Sequence, residues 1–151
     1  MTLVVPFDGS DLSRAALVRA RQFASVFEEN VIAISVIPRG NTDYARERGW
    51  IGPTERYDHD AVLETLRESA AECCPSAEFR HDTVDRNSPR GTISNCLRRM
   101  ARDADASMVF IGSENAGRIV SALSSVGASV AAEDAYDVVI VRHTDRRRLP
   151  P

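Results

Sequence analysis

The feature that most constrains this chain is a repeated change of hydrophobic period. Four short runs are almost unbroken in apolar residues: Leu3-Val4-Val5-Pro6-Phe7, Val31 to Ile37, Met108 to Ile111 and Val138 to Val141. Between them lie stretches in which apolar residues recur every three or four positions. A strand that is apolar on both faces is covered on both faces, so these runs read as buried strands of a parallel sheet and the intervening stretches as its covering helices. Ala77 to Val84 alternates only weakly and reads as a strand with one wet face or at an edge. Right-handed crossovers then give a doubly wound α/β sandwich with helices on both faces. A length of 151 residues at 43% apolar suits one such domain and leaves no room for two large ones.

The helical stretches have recognisable ends. Leu12, Ala16, Ala20, Phe23 and Phe27 make one apolar stripe, with Ser10 placed to cap its start. Asp58 to Cys74 is a second helix, with Val62, Leu63, Leu66 and Ala70 inward and Pro75 ending it. Ser88-Pro89 opens a third, with Pro89 suited to the first turn and Ile93, Leu97 and Met100 inward. Ser125 to Ala135 is alanine-rich and reads as the last helix. Pro38 stops the second strand. Residues 39 to 57, with Gly40, Gly49, Gly52, Pro53 and many charges, read as a long loop of the kind that forms lids or interfaces. Tyr44, Trp50 and Tyr57 in that loop are placed to cap a crevice, to sit in an interface or to pack the loop itself. The domain spans residues 1–142, and 143–151, with Arg146-Arg147-Arg148, is a polar tail.

Composition narrows the function. A net charge of −3 is a poor footprint for a nucleic-acid partner. No apolar run approaches the roughly 18–20 residues of a membrane span, and the first residues lack a secretory leader, so the expected home is the cytoplasm. All 19 lysine-plus-arginine positions are arginine, which rules out Schiff-base chemistry and the lysine of a phosphate-binding P-loop. Cys73, Cys74 and Cys96 form no Cys-x-x-Cys pair, as expected of thiols in a reducing compartment. His59, His81 and His143 are too far apart in sequence to suggest a metal site. Gly127-Ala128-Ser129-Val130-Ala131 lacks the closing glycine of a nucleophile elbow. No catalytic residue is nominated.

Two strand ends carry the informative chemistry. In open α/β sheets a ligand sits beyond the carboxyl ends of the strands, where strand order reverses. Asp8-Gly9-Ser10 follows the first strand, and Gly112-Ser113-Glu114-Asn115-Ala116-Gly117-Arg118 follows the fourth. Glycines there permit positive φ and close backbone approach, and consecutive N–H groups can cradle an anion. Ser121, Ser124 and Ser125, at the start of the last helix, offer hydroxyls and N–H groups for phosphate, and Arg118 offers a charge. Gly112-x4-Gly117 has P-loop spacing, but Arg118-Ile119 stands where such a loop needs lysine and then serine or threonine.

Taken in order, these segments resemble the universal stress protein family. Val4-Val5-Pro6-Phe7-Asp8-Gly9-Ser10, followed by an alanine-rich helix, is similar to the family's first-strand signature. Asn87-Ser88-Pro89-Arg90-Gly91-Thr92-Ile93 resembles its Gly-x-Pro-x-x-x-Ile segment, and Ser107 to Ser113 its fourth-strand ending. The resemblance implies a five-stranded parallel sheet in the order 3-2-1-4-5, which puts the two glycine-marked loops on one crevice. Nucleotide-binding members carry Gly-x2-Gly-x9-Gly-Ser/Thr after the fourth strand. Here Gly112 matches the first glycine, Asn115 stands at the second, and the closing pair reads Ser124-Ser125 with one residue fewer, while Gly117 is displaced by two from the missing glycine. The resemblance implies that Asp8 contacts the adenine or ribose side and that Pro6 and Val36 line the base. It also implies that Gly112, Ser113 and Asn115 hold ribose and phosphate, and that Ser124 and Ser125 hold phosphates.

Three functions follow as expectations. The first is a stress-response protein that binds ATP or AMP, with magnesium accompanying ATP. The second is a dimeric interaction scaffold without nucleotide. The third is a slow phosphohydrolase or nucleotidyl transferase, for which Asp8 and Glu114 are the available carboxylates. A homodimer is expected through Val138 to Val141, apolar on both faces and at a sheet edge in the implied order.

Overall fold

The computed structural model describes residues 1–89, 91–120 and 135–144. Five strands form one sheet: β1 (Thr2–Pro6), β2 (Asn30–Arg39), β3 (Glu78–Asp85), β4 (Ala106–Gly112) and β5 (Asp137–Val141). Every pairing is parallel and the order is β3-β2-β1-β4-β5, as the resemblance implies. The helices are α1 (Asp11–Phe27), α2 (Thr42–Glu47), α3 (His59–Cys73), α4 (Thr92–Asp103) and α5 (Gly117–Val120).

Alternate residues of each central strand enter two separate cores. Leu3 and Val5 of β1, Ala33 and Ile37 of β2 and Phe110 of β4 face α1 and α3. Val4, Ile34, Val36, Val109 and Ile111 face α4 and α5. The unbroken apolar runs are thus what a two-faced sheet demands. β3 is the wetter edge, with mixed burial along its length.

Several local expectations need correction. Pro38 does not stop β2; it lies within the strand and pairs with Val84. β1 pairs with β2 only as far as Ile34, so beyond that point β2 has a neighbour on one side only and tolerates a residue without an N–H. The stretch 39–57 contains helix α2, capped by the Asn41 side chain accepting from Tyr44 N at 3.0 Å. Pro89 precedes α4 rather than entering it: its carbonyl closes a turn with Thr92 N, and Gly91, at φ +98°, is the N-cap. The buried face of α1 is Ser13, Ala16, Leu17, Ala20 and Ala24, so the expected stripe holds at Ala16 and Ala20, with Phe23 partly buried against the core, and fails at Phe27, which is 59% exposed. The expected helix over Ser125 to Ala135 lies outside the described residues, apart from Ala135. Ser10 caps α1 as expected, accepting from Ser13 N at 3.2 Å. No described helix is long and apolar enough to cross a membrane.

Candidate functional site

Strand order reverses between β1 and β4, and the loops after these strands meet there. Gly9, at φ +79°, turns the chain from β1 into α1 and leaves Asp8 at the rim. Asp8 ties four segments together. Its Oδ1 accepts from Ser10 N at 3.0 Å, its Oδ2 accepts from Asn115 Nδ2 at 2.8 Å, and its carbonyl accepts from Trp50 Nε1 at 2.7 Å. Burial pushes the Asp8 carboxyl up, but donors from Ser10, Asn115 and Ser13 outweigh that and hold it below the usual carboxylate value.

The crevice beside Asp8 is lined by Pro6, Val36, Ile93 and Leu97 on its apolar walls, and by Asn115, Arg118, Tyr44 and Arg48 on its polar ones. Pro6, Asp8, Val36, Asn115 and Arg118 therefore stand together as the sequence suggested. Gly112 ends β4, Ser113 lies in the loop after it and Gly117 begins α5, none of them in the wall, and Ser121, Ser124 and Ser125 lie outside the described residues. The cavity left open is about 30 Å³, room for about two water molecules. Beyond Tyr44, Ile93 and Arg118 lies a larger one of about 290 Å³, walled also by Pro38, Asn41, Val84 and Arg86.

What closes the crevice is the segment around α2. The Arg48 guanidinium lies 3.7 Å over the Tyr44 ring, and its Nε is 4.0 Å from Asp8 Oδ2, near enough to pair in charge but not to hydrogen-bond. That Nε is buried and has no hydrogen-bond partner among the described residues. Burial raises the Tyr44 hydroxyl's pKa against the opposing charges of Arg118 and Arg48. Trp50 is buried and its ring meets that of Tyr44 at 5.5 Å. Sequence reasoning placed Tyr44 and Trp50 as candidate caps but passed over Arg48. The available signal was spacing: an aromatic and a cation four residues apart share one helical face.

The loop after β4 differs from an open anion cradle. Ser113 N donates to Val141 O at 2.8 Å, Asn115 N to Gly112 O at 2.9 Å, Arg118 N to Asn115 O at 2.9 Å and Ile119 N to Ala116 O at 3.0 Å. Neither Gly112 nor Gly117 has positive φ. A Cβ on Gly112 would stand 2.8 Å from Leu12 Cβ, so this glycine serves the close packing of β4 on α1.

The sequence model of the Universal stress protein family matches residues 1–142. The chain belongs to the universal stress protein family. Among solved structures, it is similar to a universal stress protein in complex with cAMP, at 26% identity and TM-score 0.54, covering 94% of this chain and 96% of the other. It also shares its fold with a universal stress protein family member from Burkholderia pseudomallei, at 16% identity and TM-score 0.55, covering 94% and 96%. A third is the universal stress protein from Archaeoglobus fulgidus in complex with dAMP, at 17% identity and TM-score 0.50, covering 93% and 95%. Comparison with curated proteins finds no match.

Proposed function

We propose that this universal stress protein binds an adenine nucleotide in the Asp8 crevice and acts in a cytoplasmic stress response through conformation and partner contacts. The observation that carries the reading is the position of Asp8. It stands at the reversal of strand order, its carboxylate held by Ser10 and Asn115, beside the apolar walls of Pro6 and Val36. Apolar walls suit a base, and a fixed carboxylate suits its amino group or a ribose hydroxyl. The similar protein in complex with cAMP supports a nucleotide as the ligand class. A space of about 30 Å³ does not admit a base, so on this reading side chains of the crevice wall move when the ligand enters.

Calorimetric titration with AMP, and with ATP in the presence and absence of magnesium, tests the reading. Heat and a thermal shift are expected. Neither appearing at about millimolar ligand would overturn it.

One observation favours a second reading, a dimeric scaffold of the same fold without nucleotide. The chain's own Tyr44 and Arg48 fill the crevice, and most N–H groups of the loop after β4 are committed within the chain. On that reading the purified protein, denatured, releases no nucleotide. The dimer contact would be β5, the edge strand beside β4.

A further inference from the structure

The loop after β4 has few donors to give an anion. The N–H groups of Ser113, Asn115, Ala116, Arg118 and Ile119 all donate to carbonyls of the chain. Asn115, in place of a glycine, directs its side-chain amide at Asp8. Within this loop only the N–H groups of Glu114 and Gly117 have no acceptor among the described residues, which leaves side chains as the main groups there to meet a ligand's negative charge.

Two guanidinium groups line the crevice, and both address Tyr44. Arg48 covers the ring face at 3.7 Å, and Arg118 stands with Tyr44 in the same wall, its charge opposing the rise in the hydroxyl's pKa. One carboxylate, Asp8, is in the wall, and it already accepts from Ser10 and Asn115. Among the described residues the wall therefore carries one positive charge in excess. Arg48 Nε, buried and without an acceptor, adds an unmet donor at the same place. Arg118 also forms part of the partition with the larger cavity, so a group held between the two arginines can extend into it.

We propose that Arg48 and Arg118, set about Tyr44, are the anion-holding pair of this crevice and select a nucleotide bearing a single phosphate, bound without magnesium. The inference rests on the nucleotide reading and specifies its ligand class. Two arginines can grip one phosphate through several charge-assisted hydrogen bonds. A magnesium triphosphate presents a longer anion that is best met by a backbone cradle, and among the described residues most N–H groups of the loop after β4 are already engaged.

The test is calorimetric titration of the full chain with AMP, adenosine and magnesium-ATP. Arg48→Ala and Arg118→Ala are compared with Arg67→Ala, an exposed control on α3 that removes the same charge elsewhere. Arg48→Gln and Arg118→Gln serve as second variants of closer shape should either alanine form fold poorly by circular dichroism. AMP is expected to bind the unaltered protein about tenfold or more tighter than adenosine, with magnesium-ATP no tighter than AMP. Each crevice substitution should reduce the AMP advantage, read as the ratio of AMP to adenosine affinity in the same variant, to within about threefold, and the control should keep the full advantage. Equal binding of AMP and adenosine would overturn the arginine pair and leave nucleotide binding standing. So would an AMP advantage that survives both substitutions, or magnesium-ATP binding well above AMP. No binding of either AMP or adenosine would overturn the nucleotide reading, and the arginine pair with it.

Discussion

Asn115 Nδ2 lies 2.8 Å from Asp8 Oδ2, so the loop after β4 is latched to the loop after β1 by the residue standing where a glycine is expected in nucleotide-binding relatives. Asn115→Gly restores that glycine and removes the latch. The Asp8 carboxyl is held below its usual pKa in the folded chain, so its stabilisation is present above the unfolded value and lost as pH falls through the folded one. The variant should be less stable by about 1–2 kcal/mol near neutral pH, the scale of a hydrogen bond to a charged group. That difference should shrink as the solution is acidified from about pH 6 to about pH 2.5, because protonated Asp8 holds Asn115 more weakly. Urea denaturation across that range measures it, and a difference independent of pH would refute the latch.

Much of this arrangement was legible in the sequence. The two-faced strands were plain because β-branched runs such as Val31 to Ile37 have no polar side to expose, and the order of the motifs led to the sheet order and the crevice. The departures have local causes. Pro38 looked like a terminator because a strand normally has neighbours on both sides, and no pattern shows that β2 outlasts β1. Helix α2 is only six residues long, too short for periodicity to register, and it is marked mainly by its Asn41 cap. Arg48 was missed because a surface-looking charge becomes a wall residue only when α2 folds over Asp8.

Gly112 and Gly117 looked alike in sequence and have different surroundings. A Cβ at Gly112 would meet Leu12 Cβ at 2.8 Å and Leu12 backbone atoms at 3.1 and 3.2 Å, whereas one at Gly117 meets none of the described residues within 4 Å. Gly112→Ala should therefore cost about 1–3 kcal/mol through forced displacement of α1 from β4. Gly117→Ala should be neutral or stabilising by up to about 1 kcal/mol, since alanine suits a helix better. Chemical denaturation of the two variants side by side checks this; equal losses would contradict the packing role.

Trp50 is the chain's one tryptophan, buried and bonded through Nε1 to the Asp8 carbonyl. Its emission should be that of a shielded indole. If ligand entry displaces Tyr44, whose ring lies 5.5 Å away, the emission should change in parallel with AMP binding. Trp50→Phe keeps the ring but drops the donor, and should lower stability by about 1 kcal/mol or somewhat more. An emission spectrum unchanged at saturating AMP would show that the α2 segment stays in place.

Cys96 should be a poor nucleophile. Burial, and then Asp82, whose Oδ2 lies 3.4 Å from the sulfur, push its pKa up to about 11. At about pH 8 its thiolate fraction is then about 0.1%, against about a quarter for an ordinary thiol, so labelling should be slower by about 100-fold or more. Asp82→Asn removes the neighbouring charge and should speed the reaction. Mass-resolved alkylation under native conditions distinguishes Cys96 from Cys73 and Cys74; reaction of Cys96 at the rate of a small free thiol would contradict the assignment.

The edge strand β5 bears on association. Among the described residues it pairs only with β4, leaving one row of backbone groups without a strand partner there, and it carries Val138 and Val139 half-buried and Ile140 43% exposed. Edges of this kind are normally guarded by charge or proline, and here the nearest charges are Asp137 and Arg142, outside the apolar stretch. An antiparallel meeting of two copies about a twofold axis would pair these backbone groups and cover Ile140. Val141 O also accepts from Ser113 N at 2.8 Å, so strain at the dimer contact would reach the loop after β4 directly. Light scattering at about micromolar concentration should therefore give a dimer mass. Val138→Pro, which deletes a backbone donor on the outer edge because Val141 and hence Val139 bond toward β4, and Ile140→Asp, which charges the exposed face, should each shift it toward monomer. A monomer mass for the unaltered chain would remove the proposal, and a dimer that survives both substitutions would place the contact on another surface.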